Sequence, residues 1–175
     1  ATTNFDEIID FASILEGTNS KKNIKTLKEI IAITARSKFL GEKIIFTNGC
    51  FDLLHKGHIS LLIKAKKKCD YLIIGLNDDS SIKSIKGEDR PIDSQNDRII
   101  KLSKLEEVDA IILFSEDNPL NLIIKLCPDI LFKGADYKEK KVVGSDFIIK
   151  RGGKVTLIDL LDGYSTTKII NNSSN

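Results

Sequence analysis

The sequence of 175 residues contains no methionine, so Ala1 need not be the native first residue. Cysteine is scarce: Cys50, Cys69 and Cys127 are odd in number, widely spaced and without a C-x-x-C pair. That argues against a disulfide framework and a structural zinc site, and it fits a reducing cytoplasm. Neither sign of charge dominates, since 27 Lys and Arg against 25 Asp and Glu leave +2. A nucleic-acid partner is therefore not expected, and any anion binding must be local. Long apolar runs are missing; stretches such as residues 111–114 are far too short to cross a bilayer. The first ten residues carry three acidic side chains and no basic region, unlike a secretory signal. What remains is one domain of ordinary size, able to bury roughly 70% of its unfolded surface.

Two patterns divide the chain. In residues 1–40 apolar positions recur at helical spacing (Phe5, Ile8, Ile9, Phe11, Ile14, Leu15), and Asn4 with Glu7 resembles a capping box ahead of a stop at Gly17. A second helix is expected over about 23–37, with Ile24, Leu27, Ile30, Ile31 and Ile33 on one face. The two read as a helical extension to a domain covering residues 41–175. From residue 43 onward β-branched runs alternate with helical segments, with strands near 43–47, 71–76, 109–114, 129–133 and 154–158. Their apolar residues are consecutive, as when helices cover both faces of a parallel sheet. Helices are expected near 57–69, 94–105, 119–126, 143–151 and 165–171, with Ser94 and Asp97 as a capping box, Pro119 in a first turn and Gly152 with Gly153 as a stop. The fold class is therefore α/β, a Rossmann-like, doubly wound sheet of five parallel strands with a helical extension in front.

In such a sheet, ligands bind beyond the carboxyl ends of the strands, and the turn after the first strand is the usual phosphate site. Here it reads Thr47-Asn48-Gly49-Cys50-Phe51-Asp52-Leu53-Leu54-His55-Lys56-Gly57-His58, and it contains the only two histidines in the sequence. Gly49 allows close approach of backbone to an anion, and Gly57 opens a helix whose first amides can donate. The histidines could alternatively be metal ligands, with Asp52 as the nearby third candidate, or loop residues bonded within the protein. A G-x-G-x-x-G dinucleotide site is not supported, because the glycines lack that spacing. Cys50 has no base assigned to it and reads as a packing residue, and Lys64, Lys66, Lys67 and Lys68 read as a solvated helix face.

H-x-G-H after a first strand, preceded by Phe51-Asp52, resembles the nucleotidylyltransferase superfamily with the HIGH motif. Further segments are similar to the D-glycero-D-manno-heptose 1-phosphate adenylyltransferases: residues 77–81 followed by Lys83, Lys86-Gly87 and Arg90-Pro91, then Lys133-Gly134-Ala135-Asp136-Tyr137, then residues 162–170. The resemblance spans about residues 43–170. Related glycerol-3-phosphate cytidylyltransferases usually carry an arginine before the last motif. Here Leu160-Leu161-Asp162 precede Gly163, which favours the heptose branch. Bifunctional heptose enzymes also have a sugar-kinase domain ahead of this one, which about 40 leading residues cannot encode, so a stand-alone form is implied.

The resemblance implies attack by a sugar 1-phosphate on the α-phosphorus of ATP, with release of pyrophosphate. A phosphate nucleophile is already ionised, so positioning and charge stabilisation suffice. His55, His58 and Lys86 are then the catalytic candidates. Thr47, Asn48, Gly49, Cys50, Phe51 and Gly57 would cradle phosphate. Ser165, Thr166 and Thr167 would hold the β- and γ-phosphates at a last helix, or act only as its N-cap. Asp52, Lys83, Arg90, Lys133 and Asp136 are substrate-binding candidates, with Lys83, Lys86 and Arg90 in a flexible loop or else a merely solvated one. Mg2+ is implied by the triphosphate, held mainly by substrate oxygens and water, with no certain protein ligand. The small-molecule partners implied are ATP and the sugar phosphate, and the implied assembly is a homodimer. A cytidylyltransferase acting on a polyol or amino-alcohol phosphate, and a non-catalytic nucleotide-binding module, are the competing readings.

Overall fold

The computed structural model describes residues 23–134 and 142–159. Along them run α1 (Leu27–Phe39), β1 (Ile44–Gly49), α2 (Lys56–Lys66), β2 (Tyr71–Asn77), α3 (Asp79–Lys86), α4 (Gln95–Ser103), β3 (Ala110–Phe114), α5 (Leu120–Leu126), β4 (Ile130–Gly134), α6 (Ser145–Lys150) and β5 (Lys154–Ile158). All strands pair in parallel, in the order β3-β2-β1-β4-β5. The expected strands are present to within a residue or two. The expected helices over residues 1–17 and 165–171 lie outside the described residues.

Consecutive apolar residues on the strands serve two cores, because successive side chains point to opposite faces. Ile45, Leu72, Ile74 and Ile111 pack with Leu61, Leu62 and Ala65 of α2 and with Ile99 and Leu102 of α4. Ile44, Phe46, Ile73 and Ile112 pack with Ile30 of α1, Leu122, Ile123 and Leu126 of α5 and Ile148 of α6. The helices that follow β1 and β2 thus cover one face, and those that follow β3 and β4 the other. The switch point falls between β1 and β4.

Three expectations are corrected. The helix expected from residue 23 starts at Leu27, because Thr26 caps it in a reciprocal box with Glu29. The preceding residues are extended instead: Lys25 N donates to Ile111 O at 2.9 Å and Ile111 N to Asn23 O at 2.7 Å, which covers the β3 edge. Ile24 and Ile30 are both in the core, so α1 packs on the sheet. The segment carrying Lys83 and Lys86 is no loop but α3, capped by Asp78, whose carboxylate accepts from Ser81 N at 2.8 Å. It stops at Gly87, whose φ of 104° a side chain would resist. Pro119 is the N-cap of α5 rather than part of its first turn.

Candidate active site

The turn from β1 into α2 is built under backbone strain. Phe51 and Leu53 both have left-handed φ, 48° and 54°, a conformation that costs a bulky residue about 1 kcal/mol or more. Between them Asp52 is 1% exposed, and its carboxylate draws in a distant segment. It accepts from Arg90 Nε at 2.7 Å, from the Arg90 Nη2 group, from Ile92 N at 3.0 Å and from Asp93 N at 2.9 Å. Burial alone would raise the Asp52 carboxyl, but the Asp93 amide, Arg90 and the Ile92 amide outweigh it and hold the group below its ordinary value. Asp52 and Arg90, both expected at substrate, are therefore bonded to each other.

His55 and His58 sit at the start of α2. His55 is the N-cap, and its Nδ1 accepts from Gly57 N at 3.1 Å, while His58 Nδ1 accepts from His55 N at 3.4 Å. The rings stack with centroids 3.8 Å apart, and Phe51 packs at 5.2 Å from His58. A nitrogen that accepts carries no proton, so both rings are neutral with hydrogen on Nε2. Burial lowers the His55 pKa; for His58, burial, then His55 and the Lys86 charge, push it down to about 4. The pair is thus a pair of neutral Nε2–H donors. Gly57, expected to offer its amide to phosphate, has already given it to His55.

Lys86 ends α3, and its charge acts on both His58 and Cys50. Burial raises the Cys50 thiol, which keeps it protonated. Thr47 is buried in β1, Gly49 lies against the Phe51 ring, and Lys133 bonds to Asn48. Lys83 lies on α3, and Asp136, Ser165, Thr166 and Thr167 lie outside the described residues.

Sequence reasoning missed Arg98. Its side chain is wholly buried, and it donates to Cys50 O at 2.8 Å, Asn77 O at 2.7 Å, Asp93 O at 3.2 Å and Asp79 Oδ1 at 2.6 Å. One guanidinium therefore ties the turns after β1 and β2 to the segment before α4. Its only sequence signal was an arginine among the apolar positions of α4, Ile99 and Leu102. No group of three or more His, Cys, Asp or Glu side chains able to hold a metal occurs among the described residues, and no helix there is long and apolar enough to cross a membrane.

The chain is similar in sequence and in fold to known proteins. The cytidylyltransferase-like family model matches residues 46–172, and the chain belongs to that family. The bifunctional protein HldE of Campylobacter fetus subsp. fetus (strain 82-40) is 52% identical over 162 residues, covering 90% of this chain and 34% of that protein. The HldE of Campylobacter concisus (strain 13826) is 49% identical over 170 residues, covering 97% and 35%. The chain spans about a third of the length of these relatives. Among solved structures, the lipopolysaccharide core biosynthesis protein from Thermoplasma volcanium GSS1 is 31% identical at a TM-score of 0.56, covering 71% of this chain and all of that one. Pantoate-beta-alanine ligase from Francisella tularensis, 20% identical at a TM-score of 0.57 over 87% of this chain and 77% of that one, shares the fold.

Proposed function

We propose that the chain transfers AMP from ATP to D-glycero-D-manno-heptose 1-phosphate, giving ADP-heptose and pyrophosphate. The observation that carries this reading is the neutral, stacked pair His55 and His58 with the Lys86 charge beside it. An oxygen of the sugar phosphate forms a bond to the α-phosphorus as the bond from that phosphorus to the bridging oxygen breaks, and the electron pair leaves on pyrophosphate. No proton has to move, so donors that stay neutral and fixed suit the step better than an acid or base. The two Nε2–H groups stabilise the growing charge, and Lys86 adds a cation. Arg90 stays on Asp52, where it holds the turn in its strained form. The identity of the relatives supports ATP and a heptose phosphate over other pairs.

Mg2+ enters with the triphosphate, held by phosphate oxygens and water, since the described residues offer no protein cage and the Asp52 carboxylate is engaged. A cytoplasmic homodimer completes the reading. The test is pyrophosphate release from ATP and from CTP against heptose, glycerol and choline phosphates. Turnover is expected with ATP and heptose 1-phosphate, and a preference for CTP would overturn the assignment. Replacing His55 or His58 by Ala is expected to lower kcat by roughly 100- to 1,000-fold, the usual cost of one preorganised donor.

A further inference from the structure

The switch point between β1 and β4 is held together unusually. β1 pairs with β2 over six residues, from Ile44 with Tyr71 to Gly49 with Leu76, but with β4 through Ile45 with Ile130 and Phe46 with Leu131, preceded by Asp129, whose N donates to Ile44 O at 3.0 Å and whose carboxylate accepts from Ile44 N at 2.8 Å. Beyond Phe46 the two strands separate, which opens the crevice in which doubly wound sheets bind ligands. The Lys133 side chain crosses it. Lys133 Nζ, from β4, donates to Asn48 O at 2.9 Å and to Asn48 Oδ1. The residue is 6% exposed, so its charge is spent within the protein.

The consequence lies at Asn48. An ammonium has only hydrogens to offer, so it fixes which end of the Asn48 amide faces it. The oxygen turns to Lys133, and the NH2 group is turned away. Among the described residues nothing accepts from that NH2 group. Asn48 lies on the same strand face as Phe46, since a Cβ on Gly75 would meet both side chains. It is also the last residue but one of β1, directly before the turn that leads to His55.

We propose that Lys133 and Asn48 act as one unit, in which Lys133 is a positioning residue and the Asn48 NH2 group donates to a phosphate oxygen at the carboxyl end of β1. This rests on the nucleotidyl-transfer reading for the identity of the phosphate, but the donor itself requires only an anion there. Lys133 then contributes through Asn48 rather than by touching substrate.

The experiment compares the full chain with Asn48→Asp, Asn48→Ala, Lys133→Met and the double variant Lys133→Met/Asn48→Ala. It measures kcat and KM, the affinity for inorganic pyrophosphate by calorimetry, and the melting temperature. Asn48→Asp keeps an acceptor for Lys133 but replaces the donor with a second oxygen. It should melt within a few degrees of the wild type while losing about 100-fold or more in kcat/KM and at least tenfold in pyrophosphate affinity, in line with loss of one donor. Lys133→Met should lose about 10- to 100-fold, and the double variant should be no worse than the poorer single one, because both remove the same donor. Losses that multiply, or an Asn48→Asp protein with wild-type pyrophosphate affinity, would overturn the unit. Should Asn48→Asp fail to fold, Asn48→Ala carries the same test. Absence of pyrophosphate release from the wild type would refute the nucleotidyl-transfer reading alone, because the affinity measurement still decides the donor.

Discussion

At neutral pH the folded chain keeps His58 uncharged, and stability therefore depends on pH. The unfolded ring titrates near 6.5 and the folded ring near about 4, so between these values the unfolded state binds a proton that the folded state refuses. Stability from this group is fully present above pH 6.5 and is lost as pH falls toward 4, roughly 1 kcal/mol by pH 5.5. Urea denaturation of the wild type and of His58→Gln across pH 7 to 5 should show the loss in the first and a smaller one in the second; equal slopes would mean that the ring is not held neutral. Asp52 is the second such residue. Asp52→Ala strands the Arg90 guanidinium and releases the two amides that hold the strained turn. A loss of about 3 kcal/mol is expected, read from the shift of the urea midpoint. The histidines were visible in the sequence as a pair three residues apart, but their protonation was not, since it follows from which nitrogen accepts a backbone hydrogen. The partnership of Asp52 with Arg90 was equally hidden, because 38 residues separate them and no periodicity links them.

Among the elements, α3 shows where sequence patterning runs out. The helix contains three serines and two lysines against two isoleucines, and its apolar positions, Ile82 and Ile85, are too few for a helical period to stand out. Its boundaries were nonetheless present in single residues, Asp78 as N-cap and Gly87 as stop. The strands were legible for the opposite reason, since burial on both faces leaves consecutive apolar residues that few other elements need. Because α3 delivers Lys86, its cap has a functional reach. The Asp78 carboxylate accepts from Ser81 N, Ser80 Oγ and Ser115 Oγ. Asp78→Ala is expected to cost about 1 kcal/mol of stability and to lower kcat more than it raises the KM for acceptor. Calorimetric melting together with steady-state kinetics checks both, and unchanged kcat would separate Lys86 from the helix that carries it.

For the molecule as a whole, the fold class followed from the rhythm of strands and helices, whereas the order β3-β2-β1-β4-β5 is fixed by long-range pairing that local patterns do not encode. The same holds for Arg98, which joins three segments of the carboxyl edge and is visible only once they are assembled. The narrow seam between β1 and β4 has a consequence for motion. Along the backbone, β1 and β4 are paired through two residues, flanked by Asp129 bonding Ile44 at one end and Lys133 bonding Asn48 at the other, while both cores pack across the seam. A ligand that bridges this seam acts as a rivet. At 100 times its dissociation constant it would add about 2.7 kcal/mol to global stability, and its local effect should be uneven. Amide hydrogen exchange is expected to slow in β4 and β5 when pyrophosphate is added, while the β2 and β3 amides, already locked by a long ladder, change little. The seam would then be the place where bound substrate adds its own contacts to those that already join the two parts of the sheet.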